Sequence, residues 1–79
     1  MQYSMEKVDE AVLALLWLTH HKDGPNTRAW KGHEWGALDR LHEQGFICNP
    51  AGKSKSVVFS EEGAARSREL FERLFGKES

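Results

Sequence analysis

A single cysteine, Cys48, stands in the 79 residues, so no disulfide can form within the chain. A chain of this length buries a modest fraction of its surface and must rely on one small core. Long apolar runs are also lacking. The longest, Ala11–Leu18, is far short of the ~20 residues a membrane-spanning helix needs, so no membrane partner is expected. No signal-peptide pattern opens the chain, and with the lone thiol this fits a reducing cytoplasm. Met5 follows Met1 closely, so residues 1–4 are read as a start-site extension ahead of one domain spanning residues 1–79.

Neither sign of charge dominates. Eleven Lys and Arg meet twelve Asp and Glu, a net charge of −1. The balance is locally uneven: residues 1–21 sum to −2, residues 22–59 to +2 and residues 60–79 to −1. A surplus of two is small for a protein that holds a polyanion at physiological salt.

Enzyme signatures are missing as well. There is no phosphate loop, no GxSxG and no HExxH, so no catalytic residue, cofactor or small-molecule ligand is expected. His20, His21, His33 and His42 with Cys48 show no recognisable zinc spacing, so no metal site is expected either. Cys48 has no adjacent base in sequence and reads as a small buried or half-buried thiol.

What is present is three helical patterns and one hairpin. The first helix is predicted from about Glu6 to about His21, with Ser4 as N-cap and Glu6, Asp9 and Glu10 at the positive end of its dipole. Val8, Val12 and Leu15 share one face, and Leu13 and Trp17 lie on the other. A helix apolar nearly all round must be covered on more than one side. That predicts either a helix wrapped within the monomer or a homodimer with Leu13, Leu16 and Trp17 in the interface; the second reading is preferred, since so short a chain has little interior to spare.

Asp23-Gly24-Pro25-Asn26 reads as a turn ending this helix, and Thr27–Gly32 as a short link anchored by Trp30. The second helix is predicted over His33–Gln44, with Trp35, Leu38 and Leu41 as its buried stripe and Arg40 facing outward. Gly45 suits the left-handed position that ends a helix, with Phe46 packing back on Leu41. Strands are predicted at Phe46–Asn49 and Ser56–Phe59, joined by the polar loop Pro50–Lys55. Ser60 caps the third helix, whose inner face carries Ala64, Ser67, Leu70, Phe71, Leu74 and Phe75, with Glu62–Arg66 and Glu69–Arg73 pairs outside.

The resulting fold class is mainly α with a β-hairpin: a winged-helix-like unit of three helices and a two-stranded wing. The strings RAWKG, W-x-x-LDRLHE-x-G-x-I and K-S-V-x-x-[ST]-EEG together resemble a family of small bacterial proteins known only as a domain of unknown function, over roughly Met5 to Phe75. That resemblance implies no substrate, cofactor or mechanism. More loosely, the second half resembles winged-helix regulators, and architecture alone does not fix function.

Two functional readings compete. In the first, a binding module contacts DNA through Arg28 and Lys31 beside Trp30, Arg40 on the second helix, and Lys53 and Lys55 on the wing. Glu34, Asp39 and Glu43 on that helix, and the lack of a supporting helix before it, weigh against this reading. In the second, the chain is a protein-interaction or homodimerisation module without a nucleic-acid role.

Overall fold

The computed structural model describes residues 1–77. Its elements are α1 (Met5–Leu18), β1 (His21–Asp23), β2 (Asn26–Trp30), α2 (Trp35–Glu43), β3 (Ser56–Val58) and α3 (Glu61–Phe75). The expected class of three helices with an antiparallel hairpin holds, and the sheet has one strand more than the sequence reading. Its order is β1-β2-β3, antiparallel throughout. No helix among the described residues is long and apolar enough to cross a membrane.

The wing hairpin is present in reduced form. Ile47 bridges Phe59, and the Cys48 N–H donates to the Val58 carbonyl at 2.8 Å, but residues 46–49 do not extend into a full strand. The other edge of β3 is taken by β2, through Arg28↔Val58, Ala29↔Val57 and Trp30↔Ser56. The segment read as a link is therefore a central strand. The Asp23–Asn26 turn is a hairpin turn that joins β1 to β2. Its two-residue loop places Gly24 at φ +60° and Pro25 at a negative φ, the pattern of a type II′ turn, whose twist matches that of its strands.

Helix α1 ends at Leu18, three residues earlier than expected, because His21 enters the sheet. Ser4 accepts from the Lys7 N–H at 3.2 Å, so the last residue of the supposed extension is the cap of α1. The core is built around this helix. Val12, Leu13, Ala14 and Leu16 are buried with Ala29 and Val57 of the sheet, Ala37, Leu38 and Leu41 of α2, Ile47, Phe59, and Leu70 of α3. The wrapped-helix reading is the one the monomer realises.

Helix α3 lies along α1, and Ser67 fits this contact because it is small and satisfied: its buried hydroxyl donates to the Leu13 carbonyl at 2.5 Å. Its outer ion pairs differ from the expected register, being Arg66–Glu69, Arg68–Glu72 and a long Arg73–Glu10 contact to α1. Leu74 and Phe75, expected on the inner face, are about half exposed near the end of the helix.

The junction of α2, the hairpin and α3 follows the sequence closely. Gly45 adopts φ +83°, its N–H donates to the His42 carbonyl, and the Phe46 N–H donates to the Leu41 carbonyl, both at 3.0 Å. These are the two bonds of a Schellman ending. Ser60 accepts from the Gly63 N–H at 2.9 Å and starts α3. Gly63 lies so close to the Phe46 carbonyl that a Cβ there would collide with it.

Candidate nucleic-acid interface

Strand alternation sorts the sheet into two faces. Ala29 and Val57 point into the core, so their neighbours Arg28 and Trp30 on β2, and Ser56 and Val58 on β3, point outward. Trp30, expected as the aromatic anchor of a link, is 54% exposed on that outer face. Arg28 lies on the same face, held by Asp23 across the hairpin at 3.1 Å.

The loop Pro50–Lys55 folds against the end of β2. The Lys31 N–H donates to the Lys55 carbonyl at 3.0 Å, and the Lys31 ammonium donates to the carbonyls of Pro50 at 2.7 Å and Gly52 at 3.0 Å. Lys31 thus fastens the loop and keeps its positive charge beside it. Asn49 and Ser54 shape the same loop by accepting from the N–H groups of Ala51 and Ser56. Lys53 and Lys55 are exposed on it, and neither makes an ion pair among the described residues.

The pairing of β2 with β3 has an electrostatic consequence. Residues 24–33 and 44–60 contain no Asp or Glu, and they are the two stretches that this pairing brings together. They carry Arg28, Lys31, Lys53 and Lys55, a charge of +4, while the remaining residues carry seven cations and twelve anions, a charge of −5. The small net charge therefore conceals a division between these two stretches and the rest of the chain, with Asp23 of β1 reaching across to Arg28 at their border. His33 adjoins the basic region, with its N–H on the Lys31 carbonyl at 2.8 Å, and burial lowers its pKa below the usual histidine value.

Arg40 is not part of this group. Its guanidinium binds the buried Asp9 carboxylate of α1 in a two-pronged contact, Nε to Oδ2 at 2.7 Å and Nη2 to Oδ1 at 2.9 Å. Hydrogen bonding to Asp9 raises its pKa above the ordinary value, opposed by burial and helped by the charges of Asp9 and Glu34. The outward base-reading role expected for Arg40 is corrected: this residue ties α2 to α1. Trp35, expected in the buried stripe of α2, is 70% exposed at its first turn, where Glu34 serves as the cap by accepting from the Ala37 N–H at 2.6 Å.

The residues expected at a dimer interface also lie elsewhere. Leu13 and Leu16 are 1% and 0% exposed within a single copy and have no surface to offer a second one. Trp17 is partly buried, packed near Phe59 with ring centroids 6.3 Å apart and stacked on His20 at 3.7 Å. Cys48, expected to be at least half-buried, is exposed.

Of the five candidate basic residues, Arg28, Lys31, Lys53 and Lys55 lie on the two stretches that the β2–β3 pairing brings together, and Arg40 lies apart on α2. Composition by thirds of the chain hid this, because β2 and β3 are about thirty residues apart in sequence. The signal available was the pair of acid-free segments.

A relative from Sinorhizobium fredii (strain NBRC 101917 / NGR234), described as uncharacterized protein y4hR, is 56% identical over 75 residues, covering 95% of this chain and 97% of that protein. No solved structure matches the chain. The family model described as domain of unknown function DUF6429 matches residues 4–77, and the chain belongs to that family.

Proposed function

We propose that this protein is a small nucleic-acid-binding module whose contact surface is the outer face of the sheet with the Pro50–Lys55 loop, not helix α2. The observation that carries this reading is the division of charge. Arg28, Lys31, Lys53 and Lys55 share a region with no acidic residue in its two segments, while the acids sit on the rest of the chain. Exposed lysines on a loop fastened by Lys31 suit contacts to phosphate oxygens. The loop occupies the place of a wing, which agrees with the looser resemblance to winged-helix regulators. The contact is one of backbone electrostatics, since Arg40, the residue best suited to read a base edge from α2, is held by Asp9.

A fluorescence-anisotropy titration of labelled oligonucleotides at low salt tests this reading. Binding that weakens steeply as salt rises, and that weakens in Lys53→Ala/Lys55→Ala, supports it. Absence of binding at low salt, where the phosphate contribution is strongest, overturns it. The alternative, an interaction or homodimerisation module, is less well supported, because Leu13 and Leu16 are enclosed in the monomer.

A further inference from the structure

We infer that the ligand of this surface is single-stranded nucleic acid, with a base stacked on the indole of Trp30. The inference rests on the proposed function and names its substrate class. Trp30 presents a large aromatic side chain on the outer face of the sheet, 54% exposed. Its outward neighbours are Arg28 on its own strand and Ser56 on the paired strand. Lys31 follows it in sequence and is bonded through its backbone to Lys55. An exposed π-face therefore shares its side of the sheet with Arg28, and the lysine-bearing loop is fastened at the end of the same strand. Single-strand binders use this combination: charge follows the backbone and an aromatic platform takes a base without regard to its identity.

A duplex fits this arrangement less well. Its bases are already stacked on each other, so an indole on a sheet gains nothing from them without unstacking a step. Among the described residues no helix offers free arginines to the major groove either, since Arg40 of α2 is bound to Asp9 and Arg66, Arg68 and Arg73 of α3 face Glu69, Glu72 and Glu10. Trp35 supplies a second exposed indole, 70% accessible, five residues beyond Trp30 and so no more than about 18 Å from it along the chain.

The test compares a short oligothymidylate with a duplex of equal length at low salt, read by anisotropy and by quenching of tryptophan fluorescence. The inference expects tighter binding of the single strand, quenching on saturation, and a loss of roughly tenfold or more in Trp30→Ala. Trp30→Phe should recover much of that loss, because phenylalanine keeps a stacking face. Far-ultraviolet circular dichroism and thermal melting of both variants should match the original protein, since the side chain is exposed. Equal binding of duplex and single strand, with no effect of Trp30→Ala, overturns the single-strand inference and leaves the proposed function standing. Binding of neither at low salt overturns both.

Discussion

The hydroxyl of Ser60 donates to the carbonyl of Gly45 at 2.6 Å while accepting from the Gly63 N–H at 2.9 Å. One side chain thus joins the end of α2 to the start of α3. Gly45 supplies the positive φ that turns the chain, and Gly63 supplies the space through which the Phe46 carbonyl passes. Ser60→Ala should therefore cost about 1–2 kcal/mol, above a simple surface cap, because a second bond is lost with the cap. Gly63→Ala should cost at least ~2 kcal/mol, since the atom in its way is backbone and cannot rotate aside. Urea melts of both variants check the values.

Leu16 is fully enclosed by the monomer. Leu16→Ala should lower stability by about 3–5 kcal/mol, the range for a large buried leucine. The loss should be independent of protein concentration. A midpoint that instead moves with concentration in the unaltered protein would mean that a second copy contributes to the core.

Among the described residues, Arg40 and Asp9 form the one ion pair with a carboxylate almost fully buried. Arg40→Met should reduce thermal stability by roughly 5 °C or more, because Asp9 is left buried without its partner. The same variant should bind oligonucleotides as the original protein does. Both results together separate the interhelical role of Arg40 from any role in recognition.

Burial lowers the pKa of His33 below its ordinary value of 6.5. The folded chain then binds fewer protons there than the unfolded chain, between the lowered value and 6.5. Stability must rise with pH across that window, and it is lost as pH falls below about 6.5. His33→Gln should flatten this part of the stability profile. Urea midpoints measured between about pH 7.5 and about pH 5.5, with imidazole resonances followed by NMR, check the sign.

Helix ends and turns could be read from the sequence because their chemistry is local. Ser4, Gly45 and Ser60 each stand where a cap or a left-handed residue is needed, and each performs that role. The strand β2 could not be read so easily. Asn26–Trp30 has one buried side chain, Ala29, and no run of alternating apolar residues to mark a strand; its partner β3 gives it its conformation. Trp35 followed the helical period of Leu38 and Leu41, yet it is the first residue of α2, ahead of the buried Ala37 and Leu38, and is left exposed. Leu13 and Leu16 seemed too many for so short a chain, and α3, α2 and β2 packed around α1 provide their cover. The basic face was half legible: Lys53 and Lys55 stood out as loop residues, but their union with Arg28 and Lys31 required the β2–β3 pairing.

The most direct test of this account is the salt dependence of oligonucleotide binding. A plot of log affinity against log salt should have a slope of about −2 for a single strand held by the three lysines Lys31, Lys53 and Lys55. Lys53→Ala and Lys55→Ala should each reduce that slope by about 0.7, and Arg68→Ala on α3 should leave it unchanged. A slope that ignores the loop lysines, or that responds equally to Arg68→Ala, would contradict the assignment of the sheet-and-loop face as the binding surface.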